Sequence, residues 1–314
     1  MNNKEISTIS TPFLPVGMCV LERGWLSANN ILFTDGEQTV MIDSGYCTHS
    51  EQTVALVESV LGDRPLNVLI NTHLHSDHCG GNAALQSRYP ALTTLIPAGQ
   101  AAQVSDWDPV ALTYLPTGQL CPQFTFTQTL LPGTRMVFGT AIWEVHAAAG
   151  HDPHSLLFFE SVEKILISAD ALWENGFGVV FPELDGEDAF SEVAATLDLI
   201  EQMNPLTVVP GHGKVFAYRP EVLALARQRL DSFEKDPTRH AQHAAKVLLK
   251  FKLLEVQRQP IDEFLSWALK MPYLMRIHAL FFASVPEVFW LAGLCGDLVK
   301  AKVAGRDADH IFNM

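Results

Sequence analysis

The chain is short of basic side chains. Its 314 residues carry 21 Lys and Arg against 35 Asp and Glu, a formal net charge of −14. The deficit is uneven: residues 1–218 hold 7 basic and 24 acidic side chains, net −17, whereas residues 219–314 hold 14 and 11, net +3. An acidic surface repels polyphosphate, so a nuclease that grips nucleic acid with the first part is disfavoured and no nucleic-acid partner is expected. Cysteine is scarce as well. Cys19, Cys47, Cys79, Cys121 and Cys295 are odd in number and scattered, with no Cys-x-x-Cys pair, which argues against a disulfide framework and for reduced thiols. No uninterrupted apolar run reaches the roughly 18 residues of a membrane span. The first ten residues lack the apolar stretch of an export signal, and repeats and low-complexity tracts are missing. The expectation is a cytoplasmic, soluble protein with no membrane partner. A hydrophobic content of 48% with 18% charged residues is that of a folded chain with a sizeable core.

What is present is concentrated in one place. Residues 73–78 read His-Leu-His-Ser-Asp-His, directly after the apolar run Val68-Leu69-Ile70. Three imidazoles and a carboxylate at the end of a buried strand need a positive charge to organise them, and a divalent metal is the natural one. Further downstream, His151 follows a strand-like segment and Gly150. Asp170 follows Leu166–Ala169, and His212 sits in a Pro-Gly-His-Gly turn after Leu206–Val209. Each is weak alone; together they complete the ligands of two adjacent metals.

Short β-like runs at 18–21, 30–33 and 39–42 are punctuated by Asp35-Gly36 and Ser44-Gly45. A helix over 50–61 places Val54, Val57 and Leu61 on one face. A second helix runs from Gly80-Gly81 to about residue 88. Strands are expected at 67–70, 93–96, 124–129, 141–145, 156–159, 165–168 and 206–209, with a helix at 188–203. Strands first paired by turns and then alternating with helices indicate sheets covered by helices, an α/β sandwich. From Pro220 the pattern turns helical, at 221–230, 241–257 and onward from Pro260, with a small hairpin expected from Leu298–Val303, Gly305-Arg306-Asp307 and His310–Phe312. The expected division is a catalytic domain over 1–218 and a mainly helical subdomain over 219–314.

The set His73-x-His75-x-Asp77-His78, His151, Asp170 and His212 resembles the metallo-β-lactamase superfamily across about residues 15–213. The resemblance implies an αββα sandwich with a binuclear site at one edge and a tail like a degenerate winged helix. It implies that His73, His75 and His151 hold one metal, that Asp77, His78 and His212 hold the other, and that Asp170 bridges them. Zinc is the first expectation, with iron or manganese as alternatives. An aspartate at position 170 resembles the glyoxalase II and lactonase branches. Two metals lower the pKa of a bridging water, and the resulting hydroxide attacks a small ester, thioester or lactone, with Asp77 orienting it and accepting a proton. The alternatives are an iron-dependent persulfide oxidoreductase of the same superfamily, an RNA-processing nuclease, and a metal protein without turnover.

Around these ligands, Asp152 is expected to orient His151. His154, which stands where the family has glycine, is a candidate for substrate or proton contact. Trp173 and Phe177 are candidates for an apolar pocket wall. Residues 105–118, with Trp107 and Tyr114, could form a lid. Lys246 and Lys250 are expected to solvate a helix face, and Phe289, Trp290 and Leu291 suggest a contact in a possible homodimer.

Overall fold

A computed structural model describes residues 12–314. Two six-stranded sheets form the centre. The first runs β1 (Met18–Leu21), β2 (Asn30–Phe33), β3 (Val40–Ile42), β4 (Val68–Ile70), β5 (Thr93–Pro97) and β6 (Gln128–Leu130) in that order. The second contains β7 (Arg135–Phe138), β8 (Ala141–Ala147), β9 (Leu156–Glu160), β10 (Ile165–Ala169), β11 (Thr207–Pro210) and β12 (Phe216–Ala217), also in chain order.

The period-two geometry of a strand decides which side chain enters which layer. Val40 and Ile42 of β3, Val68 and Ile70 of β4, Leu156 and Phe158 of β9, and Ile165 and Ile167 of β10 fill the space between the sheets. Their neighbours Met41 and Leu69 face outward onto helix α1 (Ser50–Leu61), and the same outer layer holds Leu85. Leu157, Phe159 and Leu166 face the opposite outer layer. Each fully buried Ile or Phe of this set contributes about 1.5–3 kcal/mol. The layers are therefore helix, sheet, sheet, helix.

Two short helices follow β4, α2 (Ser76–Cys79) and α3 (Asn82–Arg88), the latter carrying Leu85. After β5 come α4 (Ala101–Asp106) and α5 (Tyr114–Thr117). The helices α6 (Phe181–Leu184), α7 (Ala189–Met203) and α8 (Pro220–Lys235) follow β10 and β12. The rest is α9 (Pro237–Val256), α10 (Ile261–Ala268), α11 (Pro272–Ile277) and α12 (Glu287–Lys300), with a three-stranded sheet of β13 (Arg258–Pro260), β14 (Ala304–Arg306) and β15 (His310–Asn313).

The structure departs from the sequence reading in particular places. Residues 124–129 yield only the short β6, because Phe124 turns into a separate apolar cluster with Leu74, Cys79 and Tyr114. Strand β7 carries no clear sequence signal, since Arg135 and Val137 face solvent at the sheet edge. Apolar packing changes partner at the Asp236 break between α8 and α9. Val222, Leu223, Ala226, Leu230 and Phe233 of α8 share the sandwich cluster with α7, whereas Ala241 onward builds a second cluster with α10–α12. Leu298 belongs to α12, not to the terminal hairpin, which pairs 304–306 with 310–313 and adds β13. Trp290 and Leu291 are buried in the second cluster, so of the three residues expected at a dimer contact only Phe289 is exposed. Among the described residues no single helix is long and apolar enough to cross a membrane.

Candidate metal centre

Strand ends gather at one rim of the sandwich. β3 ends at Asp43, β4 leads into residues 71–78, and the β8–β9 connection carries His151. β10 ends at Asp170, and β11 leads to His212. Two of these ends are strained. Asp43, and Ala169 just before Asp170, have φ of 57° and 46°, a left-handed conformation that costs a non-glycine residue on the order of 1–3 kcal/mol. Polar contacts hold the first of them in place. Asp43 accepts from the Thr72 amide at 2.8 Å, from Thr72 Oγ1 at 2.8 Å and from His78 Nδ1 at 2.7 Å. At the second, a Cβ on Gly211 would collide with Asp170 Oδ1, so only glycine lets the β11 loop approach that carboxylate.

The outer contacts of the imidazoles fix their tautomers. Thr72 Oγ1 gives its proton to Asp43 and so accepts from His73 Nδ1 at 3.1 Å. His78 Nδ1 donates to Asp43, and His151 Nδ1 donates to the Val179 carbonyl at 2.6 Å. In all three rings the lone pair is then left on Nε2. His73 Nε2 and His151 Nε2 both face His75 Nδ1, at 3.1 and 2.8 Å. One Nδ1 proton cannot satisfy two such lone pairs. His78 Nε2 is buried without a hydrogen-bond partner, 3.4 Å from Asp170 Oδ1.

Asp170 lies between the groups: its Oδ2 is 3.4 Å from His151 Nε2 and 3.8 Å from His212 Nε2. Asp77 Oδ2 is 3.1 Å from His212 Nε2. Three sets of side chains bring their ligand atoms within 4.8 Å of one another: His73, His75 and His151; His73, His78 and Asp170; and Asp77, His78 and His212. Converging lone pairs, an orphaned imidazole nitrogen and intervening carboxylates are what a divalent cation compensates. The nitrogen and oxygen donors, with no thiolate, suit zinc, iron or manganese.

The electrostatics follow the same division. Burial, then the neighbouring imidazoles, holds His73 well below its ordinary value of 6.5. Burial and then His75 bring His151 down to about 4. At His78 burial works against the cation, but Asp170 and Asp43 outweigh it and push the ring upward. Burial likewise opposes the charge on Asp170 and Asp77, yet the surrounding imidazoles, His212 among them, hold both carboxyls below the usual carboxylate range.

All seven side chains singled out in the sequence meet at this rim. The neighbours are partly different. Asp152 does not orient His151, a role taken by the Val179 carbonyl. It lies 3.9 Å from His75 Nε2 and accepts from the His154 amide at 2.7 Å. Trp173 lines the cavity above the centre and donates from Nε1 to Asp170 Oδ1 at 3.2 Å. Phe177 is not a pocket wall: it is buried in the sandwich cluster under Arg229. His154 lines the cavity. Residues 105–118 are a packed connection whose Trp107 and Tyr114 turn into the Phe124 cluster, while Ala111, Thr113 and Thr117 line the cavity.

Sequence reading missed Asp43 and Thr72, although an aspartate directly before Ser44-Gly45 at a strand end was a usable signal. It also missed Trp25, which stacks on His212 at 5.5 Å and meets Trp173 edge-on at 5.2 Å. Nothing in the sequence around Trp25 marks it.

The cavity over this centre has a volume of about 960 Å³ and reaches under the helical layer. One stripe of α9 lines it, with His243, Lys246, Val247, Lys250, Phe251 and Leu254 at three- and four-residue spacing. Lys246 and Lys250 therefore face the cavity and do not form a freely solvated helix face. Lys250 Nζ also donates to Asn313 Oδ1 and to the Val303 carbonyl.

Comparison with known proteins agrees with the architecture. Residues 23–212 match the model of the metallo-beta-lactamase superfamily. A hydroxyacylglutathione hydrolase of Thermosynechococcus vestitus is 26% identical over 151 residues, and the match spans about half the length of each chain, 48% of both. A beta-lactamase domain protein from Burkholderia ambifaria superposes with a TM-score of 0.58 at 20% identity, over 90% of this chain and 89% of that one. A metallo-beta-lactamase family protein from Thermus thermophilus gives 0.55 at 16%, over 96% and 100%. At such identities the structural likeness speaks for the fold alone. The family match covers well over half of the chain: this protein belongs to the metallo-beta-lactamase superfamily.

Proposed function

We propose that the chain is a binuclear metal-dependent hydrolase of a small carboxylic ester, thioester or lactone. His73, His75 and His151 would hold one ion and Asp77, His78 and His212 the other, with Asp170 shared. Bound there, divalent ions supply Lewis acidity and a hydroxide nucleophile near neutral pH. The chain's own part is to position and to move protons. Asp43, Thr72 and the Val179 carbonyl keep the Nε2 lone pairs of His78, His73 and His151 turned inward. Water adds across the acyl bond, its oxygen joining the carbonyl carbon and its proton passing to the leaving oxygen or sulfur. Asp77, ionised and lining the cavity, is the group that takes up and returns that proton. Trp25 and Trp173 form an aromatic wall beside His212.

The observation that carries this reading is the pair of lone pairs converging on His75 Nδ1, those of His73 and His151, with Asp170 within 4 Å of His151 Nε2 and of two further imidazole nitrogens, His78 Nε2 and His212 Nε2. Elemental analysis of the purified protein, together with hydrolysis of a panel of esters, thioesters and lactones, tests it. Two divalent ions per chain and carbonyl hydrolysis are expected. One iron per chain with oxygen consumption on a persulfide would overturn it in favour of an oxidoreductase.

A further inference from the structure

The far end of the cavity has the opposite chemistry. A second cavity of about 620 Å³ shares Arg229, His243 and Lys246 with the large one and adds Arg239, Gln242 and Ser232. No carboxylate lines it. The cluster lies in the part of the chain that carries net +3, residues 219–314. Among the described residues neither Arg229 nor Arg239 has a carboxylate within 4.0 Å, and Lys246 reaches Asp297 only at that limit.

Arg229 is the built part of the cluster. Its guanidinium lies over the rings of Phe177 and Phe233, at 5.3 and 5.5 Å. Nη2 donates to His243 Nε2 at 2.7 Å. Gly176 leaves room for it, since a Cβ there would stand 2.7 Å from Nη1. Aromatic faces and a neutral imidazole hold the group flat without consuming its charge, so most of its five N–H donors stay available. Burial, followed by Arg229, His240, Lys246 and Arg239, lowers His243 to about 3, so that ring stays neutral. A fixed, half-buried guanidinium with a second arginine, a lysine and two amide or hydroxyl groups around it is a receptor for a carboxylate or phosphate.

The site is tied to the metal rim by one loop. Trp173, bonded to Asp170, pairs with Gly176 through the amide-to-carbonyl hydrogen bond at 2.6 Å, and Gly176 abuts Arg229. Val247, Phe251 and Leu254 of α9 present apolar surface to the large cavity. Given the carbonyl hydrolysis proposed above, on which this assignment rests, we infer that the substrate is an acyl compound bearing an anionic group. Its carboxylate or phosphate sits at Arg229, Arg239 and Lys246, and an apolar segment lies along α9 with the scissile carbonyl at the metal rim.

Two measurements on the metal-loaded full chain test this. The first compares kcat/KM for mono-p-nitrophenyl adipate and for p-nitrophenyl hexanoate, which differ in the terminal carboxylate. The wild type is expected to prefer the anionic ester by about tenfold or more. Arg239→Gln, at an exposed position that packing does not need, should bring the ratio to within about twofold of unity, as should Arg229→Gln. A wild-type ratio near unity, or a ratio unmoved in Arg239→Gln, overturns the assignment.

The second measures calorimetric binding of adipate to the wild type, Arg239→Gln and Asp170→Asn. Binding weakened about tenfold in Arg239→Gln and kept in Asp170→Asn places the anion at the arginines. Inorganic phosphate in the same titration tells whether a free anion suffices: binding as tight as adipate would overturn the role of the apolar segment. Loss in Asp170→Asn alone would place the anion on the metals and overturn the subsite. Adipate binding at the arginines without hydrolysis of any ester would instead sink the hydrolase reading and leave the anion site standing.

Discussion

The two ends of the cavity are built on opposite electrostatic plans. At the sandwich rim, seven imidazole and carboxylate side chains gather, and the Nδ1 protons of His78, His73 and His151 are held outward by Asp43, Thr72 and the Val179 carbonyl. At the α8–α9 end, Arg229, Arg239 and Lys246 cluster around a second, adjoining cavity that no carboxylate lines. The sequence already carries the contrast as net −17 before residue 219 and net +3 after it. Folding turns that linear asymmetry into a field along one cavity. The substrate proposed above, with an electrophilic carbonyl and a remote negative charge, would be oriented by it in one direction.

The comparison can be broken most severely at the rim. Asp170→Asn removes a full charge from the point where His78, His151 and His212 meet. It is expected to lower metal content and to cut hydrolysis by about 10²–10³-fold or more, with the circular dichroism spectrum unchanged. Full activity in this variant would remove the binuclear mechanism. Asp43→Ala acts one layer further out: it frees His78 Nδ1 and the Thr72 hydroxyl, so metal affinity should fall about 10–100-fold. Chelator competition measures this, and an unaltered affinity would mean that the strained Asp43 serves the fold only.

At the opposite end Arg239→Gln should leave the metal content intact while erasing the preference for the anionic ester, an effect of about tenfold. The smallest effect concerns His240, buried against Phe190 and Phe233 with its Nε2 unpartnered. Burial and then Arg229 lower it from 6.5 to about 4. Between those values the unfolded chain binds the proton and the folded chain does not, so stability falls as the pH drops from 6.5 towards 4. His240→Leu should flatten that slope by up to about 1.4 kcal/mol per pH unit. Melting temperatures of both proteins at pH 7 and pH 5 read the difference; equal slopes would show that His240 is not the titrating group.

Much of the rim was legible in the sequence because metal chemistry restricts residue type. His73, His75, Asp77 and His78 announce themselves by being polar at the end of a buried strand, and His151, Asp170 and His212 by repeating that placement. The apolar run Ile165, Leu166 and Ile167 likewise marks a buried strand, while which side chain enters which layer is seen only in the packing. The supporting residues were harder to see. Asp152 is adjacent to His151 in sequence, yet its carboxylate accepts from the His154 amide, because the direction of a loop side chain depends on backbone dihedrals that spacing does not record. Phe177 and Trp173 are equally aromatic and four residues apart. One is buried and the other faces the cavity, since the Trp173–Gly176 pairing reverses the chain between them. Strand β7 escaped notice because an edge strand buries too little to impose a pattern.

By itself the sequence determined the ligand chemistry, the two-sheet architecture and the charge asymmetry, because each depends on residue type at a local period or after a strand. Only the tertiary structure decided that α8 packs with the sandwich, that Asp43 orients His78 from 35 positions away, and that one stripe of α9 faces the metal rim's cavity. Those outcomes depend on which surfaces meet once apolar faces are buried, and no local pattern encodes the meeting of residues so far apart along the chain.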